Sequence, residues 1–229
     1  MRSSLAFAAW LIASAAGAHP CAKGKATRAD VPLVLAGIVN RDGSSVGTVP
    51  ARIADARLHA VGKRDRYGRL PVFALRDGSS EQERLLREGG ALAMAVRLPP
   101  ACRERLAAAE TEARRAKKGL WRRSPVERAA DRTLGDRVNR FALVEGRVVS
   151  VGDRERALYL NFGANWRDDF TVFLNRKDFR RHPEWLRILS AASGRTVRVR
   201  GWLEDRGGPF MRVRDVAQIE IAPVFEVAR

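Results

Sequence analysis

The chain has 229 residues, and its 43 lysines and arginines outnumber its 26 aspartates and glutamates, which gives a formal net charge of +17. A field of that sign attracts polyanions such as nucleic acid, anionic lipid headgroups or acidic polysaccharide. Nearly all of the cations are arginine, a skew that a GC-rich genome also produces without selection for binding, so composition leaves both explanations open. Beyond residue 16 no apolar run approaches the roughly 20 residues that span a bilayer, which excludes a membrane-spanning helix from the rest of the chain.

The N-terminus has the three parts of a secretory leader. Arg2 precedes an apolar run from Leu5 to Ala16, and Ala16-Gly17-Ala18 offers small residues to a signal peptidase. A membrane anchor is the alternative, but this apolar run is shorter than a bilayer-spanning helix requires. We therefore predict a signal peptide at residues 1–18, cleavage after Ala18, and a periplasmic or secreted protein.

Cysteine usage fits that location. The chain contains two cysteines, Cys21 and Cys102, and both remain after the predicted cleavage. In an oxidising compartment two thiols most simply pair, which predicts a Cys21–Cys102 disulfide. Two unpaired buried cysteines are the alternative.

After the leader, the first half of the chain is predicted to form three strands followed by two helices. A helix begins at Ser79 or Ser80, because Glu83 follows at the spacing of a capping box, and it ends near Arg87, before Gly89-Gly90. The second helix runs from Pro100 to Lys118 with apolar residues on one face, and Gly119 follows its basic last turn. The three strands are expected at Leu33–Val39, within Ala51–Val61 and at Leu70–Leu75.

The second half has a different order of elements. Residues 122–137 are charged, include Pro125 and lack apolar periodicity, which predicts a linker. Residues 138–222 then show five strands with a helix between the third and the fourth, which is the order of an OB-fold, a small Greek-key barrel. The strands are expected at Ala142–Val151, Leu158–Phe162, Phe170–Leu174, Thr196–Leu203 and Phe210–Val213 with its continuation to Ile221, and the helix within Asp178–Ala192.

Three segments of the first half resemble the closing half of a staphylococcal-nuclease-type (thermonuclease) domain. They are Asp65-Arg66-Tyr67-Gly68-Arg69, the helical segment 81–95, and the basic helix that ends in Gly119-Leu120-Trp121. The family builds its domain on an OB barrel. The resemblance therefore implies a mixed, mainly β fold with helices (α+β): a reduced nuclease-like OB-fold at residues 31–121, followed by a second OB-like barrel at residues 138–222. It also implies a phosphodiester hydrolase, an activity that has to be judged from the site itself.

The resemblance places one family residue well and most others badly. Arg69 falls where the family has the second arginine of its active site. When Val34–Asp42 is laid over the family's arginine-bearing strand, Val34 replaces the first arginine and Val39 a metal-binding aspartate, while Asp42 falls where the glutamate belongs. The short stretch before Val34 leaves no room for the hairpin that carries the remaining carboxylate. The sequence thus predicts an incomplete catalytic site, with Arg69 and Asp42 as its remnants, and no metal ligands.

Two interpretations of the acidic residues remain open. Asp42 lies in Arg41-Asp42-Gly43-Ser44, an ordinary turn in which an aspartate bonds its own backbone. Alternatively, Asp42, Asp55 or Asp65 is regrouped around a divalent ion, which would be Ca²⁺ if the protein is an active nuclease. The histidines His59 and His182 have no metal-ligand spacing to each other or to a cysteine, so a zinc site is not supported.

The second half carries the candidates for nucleic-acid binding. In an OB-fold, aromatic side chains on the second and third strands stack on bases while arginines follow the phosphates. The alternative is that these aromatic residues fill a small barrel and that the alternating arginines of 195–200 form a solvated strand face. The candidates are Tyr159, Trp166, Arg167, Arg198 and Arg200.

Three functions follow from these observations. The first is a secreted or periplasmic thermonuclease-family protein that is catalytically impaired and binds nucleic acid or another polyanion. The second is an active, divalent-metal-dependent nuclease with rearranged carboxylates. The third is an envelope scaffold that binds another protein.

Overall fold

In a computed structural model of the chain, the residues described are 19–22, 26–27, 31–48, 53–165 and 168–222. The predicted leader, residues 1–18, lies outside these ranges. None of the helices within them is long and apolar enough to cross a membrane. The described residues form two sheets with intervening helices, which confirms the mixed, mainly β class that the sequence predicts.

The first sheet contains seven strands of the described chain. Its order is β1-β4-β5-β2-β3, with β6 added to β5 and β7 added to β2, and β2 and β5 run parallel. The predicted strands at 33–39 and 70–75 are present, whereas the imperfect alternation of 51–61 yields the shorter strand β4. The strands are β1 Ala26–Thr27, β2 Leu33–Val39, β3 Ser45–Gly47, β4 Arg57–Ala60, β5 Leu70–Arg76, β6 Ser79–Ser80 and β7 Leu92–Ala93.

Two helices cover this sheet, α1 at Glu81–Glu88 and α2 at Pro100–Arg115. Ser80 caps α1 and forms the predicted capping box with Glu83, and Gly89 ends the helix with a φ of 69°. Helix α2 ends three residues earlier than predicted. Gly119 then approaches the end of α1 so closely that a Cβ added to it would lie 2.3 Å from the Gly89 carbonyl oxygen.

The predicted disulfide is confirmed. Cys21 and Cys102 are bonded, with their Cα atoms 5.0 Å apart, and both residues are buried. The bond joins the chain near its first described residue to the first turn of α2, across a sequence separation of 81 residues. It therefore closes a large part of the first half into one covalent loop.

The second sheet contains eight strands of the described chain. Its order is β10-β11-β12-β14-β13-β9-β8 with β15 added to β13, and β12 and β14 are parallel neighbours. Helix α3 at Pro183–Ser190 lies between β12 and β13, as predicted. The strands are β8 Val126–Arg128, β9 Phe141–Arg147, β10 Ser150–Asp153, β11 Ala157–Asn161, β12 Thr171–Asn175, β13 Thr196–Asp205, β14 Pro209–Val213 and β15 Ile219–Ile221.

The segment 122–137, predicted as a linker, pairs and packs with the second sheet. Strand β8 pairs in parallel with β9. Leu134, in the 3-10 helix Arg132–Arg137, is buried in the apolar core of the second half. The segment therefore packs as part of the second half of the molecule.

Apolar and polar contacts join the two halves. An apolar cluster combines residues of both, and the Arg200 guanidinium on β13 lies 2.9 Å from the Glu110 carboxylate on α2. The Arg97 backbone N–H donates to the Asp215 carboxylate at 2.9 Å. The core of the cluster is Leu92, Ala113 and Trp121 from the first half with Phe141 and Leu143 from the second.

Candidate functional site

The retained family arginine, Arg69, is neutralised within its own hairpin. Its Nε donates to Asp65 Oδ2 at 2.8 Å, and its Nη2 lies 2.7 Å from the same oxygen and 3.2 Å from Ser45 Oγ. Asp65 Oδ1 also accepts the backbone N–H groups of Tyr67 and Arg69, which closes the turn. The hydrogen bond from Arg69 lowers the pKa of Asp65 below its usual range. The guanidinium that the family uses on a phosphate is here tied to a carboxylate four residues away.

Asp42 is explained by its turn. Its Oδ1 accepts the Ser44 hydroxyl at 2.7 Å and the Ser44 backbone N–H at 3.0 Å, and these bonds lower its pKa. The turn packs against the second half: a Cβ added to Gly43 would lie 2.5 Å from Phe141 Cβ and 2.9 Å from Trp202 Cζ2. Asp42 therefore stabilises a turn that forms part of the junction.

The residues present do not fit the calcium ion that the resemblance implies. By the resemblance Val39 stands at a metal-binding aspartate and Val34 at the first arginine; both lie on β2 and offer only hydrocarbon, and Val34 is buried. Asp55, the third carboxylate of the regrouped alternative, is 3.7 Å from the Arg76 guanidinium. Among the described residues no group of three or more His, Cys, Asp or Glu side chains is placed to hold a metal ion.

Another buried carboxylate of the first half, Glu83, is fully engaged in hydrogen bonds and ion pairs within the fold. Its Oε1 lies 2.7 Å from Arg105 Nη2, and its Oε2 accepts from Ser80 and lies 3.0 Å from His19 Nε2. Burial raises the pKa of Glu83, but the hydrogen bonds from Ser80, His19 and Arg105 outweigh it and leave the pKa below its ordinary value of 4.5. The carboxylate thus fixes the residue predicted to begin the mature chain against the start of α1.

The five sequence-predicted binding residues do not form one surface. Trp166 and Arg167 lie outside the described residues. Arg198 is paired with Glu145 at 2.5 Å and Glu220 at 3.3 Å. Arg200 is buried, bonded to Glu110 and Glu220, and donates to the Ala93 carbonyl oxygen at 2.7 Å. Arg200 therefore stabilises the junction, Arg198 pairs with carboxylates within the second half, and neither presents its guanidinium group to a ligand.

Tyr159 belongs to a row of aromatic rings that crosses three neighbouring strands. The ring centroids of Tyr159 and Phe173 are 5.3 Å apart, and those of Phe173 and Phe210 are 5.8 Å apart. The Arg212 guanidinium lies 4.9 Å from the Phe173 centroid, and the Arg206 guanidinium lies 5.8 Å from that of Phe210. We call these three rings the aromatic row.

The aromatic row lies on the face of the second sheet that is opposite the core. Leu158 and Leu160, which flank Tyr159 on β11, point into the buried core, whereas Tyr159, Phe173 and Phe210 are only half-buried. Tyr159 and Phe210, the two outer rings of the row, line a cavity of about 490 Å³, which Arg154, Asn161 and Gly208 also line. The core of the second half is filled by aliphatic side chains together with Phe162, Phe170 and Phe179, whereas the rings of the aromatic row remain accessible from outside.

Sequence reasoning identified Tyr159 but missed the rest of the row. Phe173 and Phe210 each follow an alternating pattern that predicts strands, with the ring on the face opposite the core. Tyr159 and Phe173 are register partners, as are Phe173 and Arg212. The three strands are separated along the chain, so only their pairing register shows that these side chains are neighbours.

The family model described as staphylococcal nuclease homologue matches residues 50–123. The chain therefore carries a staphylococcal-nuclease-like domain, which confirms the resemblance. The match includes Arg69 and both helices of the first half. It begins after Val34, Val39 and Asp42, the positions at which the resemblance fails.

No curated protein sequence matches the chain. Solved structures show weak similarity to it. OBody AM1L10 bound to hen egg-white lysozyme is 18% identical, with 42% of this chain and 91% of that chain covered and a TM-score of 0.32. OBody AM3L09 bound to hen egg-white lysozyme is 21% identical, with 42% and 92% covered and a TM-score of 0.29.

Proposed function

We propose that this protein binds single-stranded nucleic acid and does not cleave it. The observation that carries the proposal is the aromatic row, Tyr159, Phe173 and Phe210, with the Arg212 guanidinium over its central ring. Stacking of a base on an exposed aromatic ring contributes about 1–3 kcal/mol and tolerates any base, since every base has a π face. A row of half-buried rings on adjacent strands suits successive unpaired bases.

The arginines beside the row suit the phosphates of the same strand. Arg206 shares its charge with Glu204 at 3.2 Å, whereas Arg212 has no carboxylate partner within the described residues. An arginine stacked on a ring keeps its N–H donors available at the edge of the guanidinium plane. Arg212 is therefore suited to hold a phosphate while its plane lies on Phe173.

The state of the nuclease-like domain supports binding without hydrolysis. Cleavage of a phosphodiester needs a cation or arginines on the developing charge and a carboxylate that positions the metal or the water. Here Arg69 is paired with Asp65, Asp42 closes a turn, and valines occupy the positions of the first arginine and of a metal-binding aspartate. These features favour the impaired protein over the active nuclease with rearranged carboxylates.

Binding is tested by fluorescence anisotropy with a short labelled single-stranded deoxyoligonucleotide. Phe173→Ala should weaken binding about 5- to 150-fold, the equivalent of one lost stacking interaction. Tyr67→Ala is the matched control, because Tyr67 is exposed and also has arginines over its ring but lies in the first half. Equal affinity of wild type and Phe173→Ala, or no binding by the wild type, would contradict the proposal.

Hydrolysis is tested on the same oligonucleotide with Ca²⁺ and with a chelator. We expect no cleavage above the background of a buffer control. Chelator-sensitive cleavage that is lost in Arg69→Ala would overturn the non-cleaving part and favour the active nuclease. Association with a protein partner that does not weaken as salt rises would instead favour the envelope scaffold, because phosphate contacts are steeply salt-dependent.

We also propose export and a two-module organisation. The Cys21–Cys102 bond is compatible with an oxidising compartment, and we place the cleavage after Ala18, immediately before His19, whose ring contacts Glu83. The modules are residues 31–121 and 138–222, and the segment 122–137 between them packs with the second module. The mass of the protein recovered from the periplasm or medium tests the cleavage, since a retained leader would add the mass of residues 1–18.

A further inference from the structure

A second surface lies between the two halves, separate from the cavity beside the aromatic row. It is a cleft of about 950 Å³, lined by seven cationic side chains and three carboxylates. Arg212 is one of the cations, so the central ring of the aromatic row and the cleft share a residue. The other six are Arg97, Arg103, Lys177, Arg180, Arg181 and Arg214, of which the first two belong to the nuclease-like half.

The positive charge of this cleft is not compensated by the protein. Within the described residues none of its seven cations forms an ion pair, whereas arginines elsewhere, such as Arg84, Arg105 and Arg198, are paired with glutamates. Of the cleft carboxylates, Glu204 pairs with Arg206, and Asp215 accepts two backbone N–H groups. With Asp178 as the third carboxylate, seven cations against three carboxylates leave the cleft with four positive charges in excess. A concave surface with an excess of one charge focuses the electric field and concentrates counter-ions.

Arg97, one of the cleft cations, has an unusual backbone conformation. Its φ is +60°, in the left-handed region that side chains other than glycine rarely adopt. The Arg97 N–H donates to the Asp215 carboxylate of the second half at 2.9 Å, so the junction itself maintains this conformation. Strained residues of this kind cluster where a ligand is held.

We infer that the cleft holds the sugar–phosphate backbone of the strand whose bases stack on the aromatic row. The inference rests on the proposed function and extends it to a phosphate site built from both halves. Arg212 joins the two surfaces, and Trp202, half-exposed in the cleft, offers a further ring along the same path. The nuclease-like half thus contributes two phosphate-binding arginines away from Arg69, Arg97 from the loop before α2 and Arg103 from the first turn of α2.

The test compares two triple variants that lose the same charge. The cleft variant is Arg97→Gln/Arg180→Gln/Arg214→Gln, and the control is Arg115→Gln/Arg122→Gln/Arg123→Gln, whose residues are exposed and outside the cleft. Affinity is measured against salt with two probes of equal length, a normal single-stranded oligonucleotide and an abasic one with the same phosphates. For single strands the log–log slope changes by about 0.7 for each phosphate contact.

The cleft variant should bind both probes more weakly than the control variant does, with a salt dependence flatter by about 2 in slope if each arginine contacts one phosphate. Phe173→Ala should weaken binding of the normal probe alone and leave the slope unchanged. Thermal melting verifies that the cleft variant is folded, which is expected because its three side chains are exposed.

The remaining outcomes distinguish failure of the cleft site from failure of base stacking on the aromatic row. Equal slopes for the cleft and control variants would overturn the cleft site, even if Phe173→Ala weakens the normal probe. Cleft-dependent binding of the abasic probe, with no tighter binding of the normal probe, would support the cleft and overturn base stacking. A wild-type protein that binds neither probe overturns both.

Discussion

The Arg200 guanidinium and the Glu110 carboxylate lie 2.9 Å apart, and each side chain is only 4% exposed. The same carboxylate accepts the Ala93 backbone N–H at 2.7 Å, while Arg200 donates to the Ala93 carbonyl oxygen. Burial lowers the pKa of Arg200, but the charges of Glu110 and Glu220 outweigh it and raise the pKa above its usual range. The nuclease-like helix and the second barrel are thus joined through a charge pair that water does not reach.

Glu110→Ala should lower the free energy of unfolding by about 3–5 kcal/mol, because it leaves a buried guanidinium without its main partner. The double variant Glu110→Leu/Arg200→Met should recover part of that loss, since replacing a buried ion pair by apolar residues is often neutral or better. Urea unfolding monitored by tryptophan fluorescence measures both. A loss below about 1 kcal/mol in Glu110→Ala, the range of exposed ion pairs, would contradict a buried pair that joins the halves.

Glu83→Gln should cost roughly 2–3 kcal/mol near neutral pH, because the carboxylate accepts several charge-assisted bonds. The folded-state pKa of Glu83 is depressed, so its contribution to stability is present above the ordinary value of 4.5 and is lost as the pH falls through the lower folded-state pKa. The stability difference between wild type and variant should therefore shrink below pH 4.5. Urea unfolding across this range provides the measurement. Glu112→Gln is the control, since Glu112 is exposed and shares the partner Arg87 with Glu83. A stability difference between wild type and Glu83→Gln that does not change with pH would contradict the depressed pKa of Glu83.

Cys21→Ser/Cys102→Ser should lower the free energy of unfolding by about 2–5 kcal/mol. The bond spans a separation of 81 residues, and a cross-link of that length strongly restricts the unfolded chain. Denaturant unfolding of the variant and of the wild type with and without a reductant measures the effect. Reduced wild type should match the double variant, and an oxidised wild type no more stable than the variant would contradict the expectation.

Gly119→Ala should destabilise the first half by more than about 1–2 kcal/mol. Gly119 has a φ of +50°, and an added Cβ would meet the backbone oxygens of Gly89 and Glu88 at 2.3 and 2.6 Å. Gly135→Ala is the control, because no atom lies within 4 Å of the added Cβ there and its φ is not positive. Melting temperatures compare the two, and equal values would argue against the close approach of the two helix ends.

The parts of the fold that depend on local signals were predictable. Ser80, Glu83 and Gly89 mark the ends of α1 by capping rules that involve only neighbouring residues. The element order of the second half likewise follows from alternation and turn residues. Arg69 was identified from its segment, but its pairing with Asp65 required coordinates.

The parts that depend on contacts between distant segments were not predictable. The alternation of arginine with apolar residues in β13 is the same whether that face meets water or another part of the protein. The sequence therefore predicts a ligand contact for Arg200, whereas the structure buries it. The aromatic row assembles from three strands, and the cleft from two halves. No spacing along the chain brings Phe173 next to Phe210 or Arg97 next to Asp215.

The turn at residues 41–44 has a consequence for any attempt to restore hydrolysis. By the resemblance, Asp42 falls where the family's glutamate belongs, yet Gly43 beside it is pressed against Phe141 and Trp202 of the second barrel. An aspartate introduced at Val39 would change one side chain on β2 and leave the main chain of this turn held against Phe141 and Trp202. Any change in the path of residues 41–44 therefore requires these two side chains of the second half to move as well.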